Sequence, residues 1–401
     1  MLSSLHSATI WLAARTNHLR ARHGHEHSRV TFVELFFDLV FVFAITQLSH
    51  GLLEHLTPLG AVQTALLMLA VWWAWMYTTW STNWVNPEMP AVRLMLFALM
   101  LAGLVLSASI PKAFEDRALP FAAAYVFSQV GRSLFMLWML ARHDAGNHRN
   151  FIRITIWLLC SAPVWLLGAW FEGGTRLALW GLALAIDYAS PVCGFYVPGL
   201  GRSTTTDWAV EGAHMAERCG RFIIIALGES ILITGATFAG LAWTAEHVGA
   251  FLVAFAGSAA MWVVYFNIGA ERGSRQIAAS DDPGRMARSG YTYMHIPIVA
   301  GIIVAAVGDE LVLHHPGGPL DGRTAIVMLT GPALYLVGNM LFKRLSAPNL
   351  PLSHLLGLGM LALLIPSVSI ATPLLLSAAT TAVLIVVAVW ESISLRPSRP
   401  S

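Results

Sequence analysis

The stretch Val30–Ser49, VTFVELFFDLVFVFAITQLS, decides the fold. About 20 apolar residues at 1.5 Å rise cross a hydrocarbon core of about 30 Å, so this segment reads as a membrane-spanning helix. It nevertheless opens with Glu34 and Asp38, one helical turn apart on one face. A carboxylate at membrane depth costs about 2.5–3.5 kcal/mol on insertion scales, so each acid requires a partner, a cavity or a seat near the headgroups. Placing the N-terminus inside puts Glu34 at the cytoplasmic interface, at small cost. Asp38 then lies one turn deeper and needs a partner.

The rest of the chain has the same character. Of 401 residues 56% are hydrophobic and only 11% charged, and mean hydropathy is +0.65. A soluble globule carries roughly 25% charged residues, so the class is an all-α polytopic membrane protein whose first partner is the lipid bilayer. The net charge of +2 gives no sign of nucleic acid as a partner. Nothing indicates a homodimer, which stays open.

Apolar windows place six spans near 31–50, 60–80, 91–110, 119–141, 152–171 and 177–197. Six more follow near 214–241, 246–269, 291–312, 324–344, 352–371 and 373–391, the last pair joined by a tight turn at Thr372-Pro373. The expected organisation is a cytoplasmic tail over 1–29, a first six-helix unit over 30–200, a second over 201–395, and a cytoplasmic tail over 396–401. Arginines follow the first apolar residues of the N-terminus, the reverse of a cleavable signal peptide, so the tail is expected to be retained.

Loop charge tests this topology independently. Nineteen of the 24 basic residues fall on the side of the N-terminus, only Lys112, Arg117, Arg176 and Arg323 on the other, and Arg132 inside a span. That bias is the positive-inside rule, with both termini in the cytoplasm. Trp72, Trp73, Trp75, Trp80 and Trp84 cluster toward the cytoplasmic end of the second span, as interfacial anchors that also pack the core.

The halves resemble each other. Laying Glu34 over Glu217 aligns VELFFDLVFVFAITQLS with AERCGRFIIIALGESIL. Trp73-Ala74-Trp75-Met76 then falls on Trp262-Val263-Val264-Tyr265, Ala102-Gly103 on Ala300-Gly301, and Gly131 and Phe135 on Gly338 and Phe342. The offset drifts from 183 to 207, as unequal loops between repeats produce. Units with an even number of spans share orientation, so a two-fold along the membrane normal would bring the two lead helices face to face.

Several polar groups at membrane depth are candidates for an ion or proton pathway: Glu229, Asp38, Glu34, His295, Asp187 and Ser230. Glu229 gives the sharpest signal, because Gly228-Glu229-Ser230 interrupts an otherwise apolar run from Phe222 to Leu241. Gly228 permits close helix approach or a local break. His295 is a candidate relay partner for Glu229, and Arg132 requires an acid such as Asp187 or Glu229. His214, Glu217, Arg218 and Arg221 share one helical face, so Asp38 or Glu34 is expected to pair with Arg218 or Arg221 in a charge cluster between the lead helices.

Cys160, Cys193 and Cys219 lie at no metal-like spacing and read as packed small apolar residues. The tail run His23-Gly24-His25-Glu26-His27 has a metal-compatible composition but reads first as a hydrophilic leader, so no metal is expected. Nucleotide-loop and hydrolase motifs are missing, and no cofactor or catalytic residue follows from the sequence.

The long motifs VELFFDLVFVFAITQLS, Pro198-Gly199-Leu200-Gly201, His214 to Arg218, IIIALGESIL and YTYMHIPIVAG resemble the bacterial low temperature requirement A (LtrA) family. Glu34, Phe37, Asp38, His214, Glu217, Arg218, Gly228, Glu229 and Ser230 stand where that family pattern has them, while Arg221 replaces a more usual apolar residue. The resemblance implies a bacterial cytoplasmic-membrane protein with no established cofactor; the family name records a growth phenotype in the cold. Three functional readings remain open, and only the third involves an enzyme. The first is a secondary transporter or proton-coupled permease for a small ion or small molecule. A cation or proton channel is the second, since the acid-and-aromatic lead helix is weakly similar to a potassium channel family. The third is a lipid-modifying or lipid-handling protein using His214 and Glu217.

Overall fold

The computed structural model describes residue 19 and residues 30–394, apart from 142, 209, 268–276, 278–279 and 346–348. The expected tails and the His23–His27 run lie outside the described residues. The apolar runs fold as helices bounded by caps and prolines. α1 (Phe32–Glu54) starts behind Thr31, whose N–H and Oγ1 donate to Glu34 Oε2 at 2.9 and 3.0 Å. α2 (Pro58–Thr82) and α3 (Pro90–Ser109) both begin with proline, whose missing N–H costs nothing in a first turn.

α4 occupies 118–140 but is divided into Ala118–Val126 and Arg132–Leu140 by a π-helical turn, Phe127–Gly131. α5 (Ala145–Ala169) and α6 (Gly173–Val192) complete the first half. Then come α7 (Gly212–Ala239), α8 (Ala245–Phe266), α9 (Pro283–His314), α10 (Gly322–Arg344), α11 (Leu352–Leu363) and α12 (Pro373–Ser394). α9 contains a second π-helical turn, Ala287–Tyr293.

Among the described residues, ten helices are long and apolar enough to cross a membrane and none of the elements is a strand. The expectation of twelve spans exceeds that number at α4 and α6. Gln129 and Arg132 lower the hydropathy of α4, and Arg176 and Asp187 lower that of α6. α5 starts seven residues earlier than its hydropathy window, from an Asp144 cap that accepts from Asn147 N–H at 3.0 Å.

In the first half α1 packs on α2 and α3, α3 on α4, α4 on α5, α5 on α6, and α6 returns to α2. In the second half α7 packs on α8 and α9, α9 on α10, α10 on α11, α11 on α12, and α12 returns to α8. Between the halves, α1 and α2 meet α7 and α9. The α9–α10 contact brings backbone onto backbone: a Cβ on Gly301 would lie 2.5 Å from Tyr335 N, and one on Gly331 2.7 Å from Ala305 N. Small residues bring about such approach in membranes, where lipid is as apolar as the helix surface.

The tryptophans of α2 pack the core, as the sequence reading allowed. Trp72, Trp73 and Trp75 are buried in the core, since α2 is enclosed by α1, α6, α7 and α9. Of the cysteines, all free, only Cys219 is buried; Cys160 and Cys193 are exposed.

Candidate functional site

The first turns of α1 and α7 bury four charge-bearing side chains together: Glu34, Asp38, His214 and Arg218 are each 0% exposed. Glu34 and Asp38 lie one turn apart on α1, and His214 and Arg218 one turn apart on α7, so the two helices present matched pairs at 5.4 Å pitch. Arg218 Nη2 donates to Asp38 Oδ1 at 2.7 Å, and its Nη1 lies 3.3 Å from Glu34 Oε1. The guanidinium sits 5.8 Å from the Phe37 ring centre and 5.7 Å from that of Trp75, a doubly stacked position that favours Arg over Lys. Trp75 Nε1 also donates to Asp38 Oδ1 at 2.7 Å, and Arg218 Nη2 to Thr79 Oγ1 at 3.3 Å.

A second shell fixes the histidine. Asn83 is held by the Glu211 backbone, donating to its carbonyl at 3.0 Å and accepting its N–H at 2.8 Å. That orientation turns Asn83 Nδ2 toward His214 Nδ1, 3.3 Å away, so Nδ1 accepts and Nε2–H donates to Glu34 Oε1 at 2.9 Å. Among the described residues, two carboxyl groups face one guanidinium. Asp38 Oδ2 has no hydrogen-bond partner among the described residues.

The Asp38–Arg218 pairing agrees with the sequence reading, and the Arg221 alternative does not. Arg221 instead pairs with Glu217 one turn away on the partly exposed side of α7, and Glu217 accepts from Val30 N–H at 3.2 Å. Glu34 is fully buried, because α7 covers the start of α1.

Deeper between α1 and α7, Glu229 accepts a hydrogen bond from Thr46 Oγ1. Thr46 is the residue that the 183-residue offset places over Glu229. Gly228 neither breaks the helix nor makes a close contact, since α7 runs unbroken and a Cβ there would meet open space. Ser230 is buried, its hydroxyl without a hydrogen-bond partner among the described residues.

His295 is not a partner of Glu229. Its Nδ1–H donates to Gly290 O at 2.9 Å and its Nε2 accepts from Tyr265 O–H at 2.7 Å, which fixes a neutral ring. The π turn makes this arrangement available, as Met294 N–H bonds Ser289 O instead of the Gly290 carbonyl. Asp187 and Arg132 likewise do not touch. Asp187 Oδ2 accepts from Tyr125 O–H at 2.8 Å and Trp165 Nε1–H at 3.1 Å, Gln129 Nε2 donates to Tyr125 at 3.1 Å, and Arg132 donates to Gln129 Oε1. The π turn of α4 lies between Tyr125 and Arg132 and sets that spacing.

Where α2 ends, Trp73, Tyr77, Trp80, Trp84 and Trp208 wall a cavity of about 60 Å³ that also holds Arg288 and no acidic residue. The Pro198–Gly201 motif nearby is a tight turn with Gly199 and Gly201 at φ of +80° and +73°, clamped by Arg153 Nε on Leu200 O at 3.2 Å. Sequence reading passed over Asn83, Gln129, Tyr125 and a buried Lys343–Glu391 pair at 2.6 Å. It also passed over Asp309, which the same signal as Glu229 could have found: an acid in an apolar run.

The fold and this buried charge network define an integral helical membrane protein. The sequence model of the bacterial low temperature requirement A protein (LtrA) matches residues 29–389, and the chain belongs to that family. An uncharacterized protein of Rhizobium meliloti (strain 1021) is 37% identical over 401 residues, covering 100% of this chain and 98% of the relative. No solved structure matches.

Proposed function

We propose that this LtrA-family chain is a proton-coupled secondary transporter of the bacterial cytoplasmic membrane, with both termini in the cytoplasm. The observation that carries this reading is the cluster at the crossing of α1 and α7, where two buried acids share one arginine. Adding or removing a proton on one of these acids changes how tightly the two helices hold each other, which is what coupling a proton to a rearrangement needs.

Two six-helix repeats over 30–200 and 201–395 fit the matching order of helix neighbours in each half. The Thr46–Glu229 contact also fits, because a pseudo-two-fold brings equivalent positions of its lead helices together. In this reading α4 and α6 span as well, with their polar groups turned inward, giving twelve spans. Glu229 with Ser230 is the deeper proton site, and the aromatic cavity with Arg288 is a cytoplasm-facing vestibule. The seam between the lead helices is filled by Phe37, Trp72, Trp75 and Phe222, which weighs against a channel. A fully buried His214 with both ring nitrogens bonded weighs against lipid chemistry there.

The test is proton flux in proteoliposomes. Glu229→Gln and Asp38→Asn are expected to abolish an acid-driven pH change that wild type shows. Equal flux in all three would remove the reading.

A further inference from the structure

Asp309 lies within the apolar helix α9 with no hydrogen bond or ion pair among the described residues. It lines a cavity of about 30 Å³ inside the second half. Its inward direction follows from its neighbours. Ala305, one turn earlier, backs onto Gly331 of α10, and a Cβ on Gly308 would lie 3.7 Å from Met328. The same cavity is lined by Ser377, Thr380 and Thr381 of α12 and by Met328 and Pro332 of α10.

The polar side chains of this lining, Asp309, Ser377, Thr380 and Thr381, all present oxygen. Pro332 sits inside α10 and has no N–H to give to the Met328 carbonyl, so that oxygen is left for another partner. Three hydroxyls and one carboxylate complete the set, and no Lys, Arg or His lines the space. At roughly 10–15 Å³ per water, the cavity has room for about two water-sized bodies. Gly257 keeps that room open, since a Cβ there would press to 3.2 Å from Thr381 Oγ1.

We infer that this cavity is a binding site for one small monovalent cation, held by the Asp309 carboxylate, the α12 hydroxyls and the Met328 carbonyl. Hard monovalent cations, sodium or hydronium, suit a site whose polar ligands are oxygens, and one carboxylate balances one positive charge. The site stands apart from the α1–α7 cluster and rests on the transporter reading only for its role as a coupling-ion site.

The test uses the full-length protein in detergent. Its melting temperature is followed in sodium, lithium, potassium and choline chloride at equal ionic strength, and in choline chloride as pH is lowered. Wild type is expected to be stabilised saturably by sodium, with an apparent affinity at least about ten-fold weaker in Asp309→Asn, which removes the ligand charge. Thr381→Val, of matched shape, is expected to weaken it several-fold. A pH response in choline that Asp309→Asn loses assigns hydronium instead and equally supports the site. The inference is overturned if both variants respond to every salt and pH as wild type does. Because binding is read without transport, a site that binds while Glu229→Gln leaves flux unchanged would overturn the transporter reading alone.

Discussion

Two buried networks of this protein hold an acid and an arginine, and they hold them differently. Between α1 and α7, Arg218 touches both Asp38 and Glu34 directly. Within the first half, Arg132 reaches Asp187 only through the neutral links Gln129 and Tyr125. Direct contact makes the first network sensitive to the loss of one charge, since the remaining charges stay buried without compensation. Neutral links spread that penalty over hydrogen bonds worth less each. The direct network also joins two halves of the molecule, whereas the linked one joins helices of a single half.

The contrast breaks most sharply at Arg218. Arg218→Met is expected to destabilise the detergent-solubilised protein by about 3–5 kcal/mol, as for a buried pair robbed of one partner. Arg132→Met should cost less, about 1–3 kcal/mol, because the group it leaves unpaired is an amide. Equal losses in denaturant unfolding would erase the distinction between the networks. The double variant Arg218→Met/Asp38→Leu sharpens it further: removing both partners should recover about 1 kcal/mol or more of the single loss. A double variant no more stable than Arg218→Met alone would show that the pair is not what that substitution disturbs.

Smaller effects follow from single hydrogen bonds. Trp75→Phe removes a donor to Asp38 and should cost about 1.5–3 kcal/mol, against about 0.5–1.5 kcal/mol for Tyr125→Phe if Asp187 holds its own proton. The smallest change is expected at Arg221→Ala, on the partly exposed pair with Glu217, at about 0.3–0.5 kcal/mol in the same unfolding assay. A loss at Arg221 as large as at Arg218 would mean that the two helices are held by their outer faces instead.

The sequence showed that Asp38 needed a partner, and the i, i+4 spacing of His214 and Arg218 showed which face of α7 could supply one. The spacing alone did not separate Arg218 from Arg221, because both lie within a turn of the same stripe and only the rotation of α7 about its axis distinguishes them; the family resemblance, from which Arg221 departs, favoured Arg218. The π turns at Phe127–Gly131 and Ala287–Tyr293 were equally out of reach. A π turn shifts the register by one residue, which leaves hydropathy unchanged while re-aiming Arg132 and His295. Hydropathy also made Glu34 look cheap at an interface, because it counts depth along one helix and not the second helix that covers it.

What the sequence alone determined, then, is the class and the need: apolar runs of bilayer length and acids that cannot sit there unpaired, both local consequences of residue type and period. Tertiary structure alone decided the pairings. Arg218 takes Asp38 and Glu34, Thr46 takes Glu229, Tyr265 takes His295, and Asp309 faces a cavity without a partner among the described residues. Those choices depend on helix rotation and on contacts between residues up to 180 and more positions apart, information that no window along the chain contains.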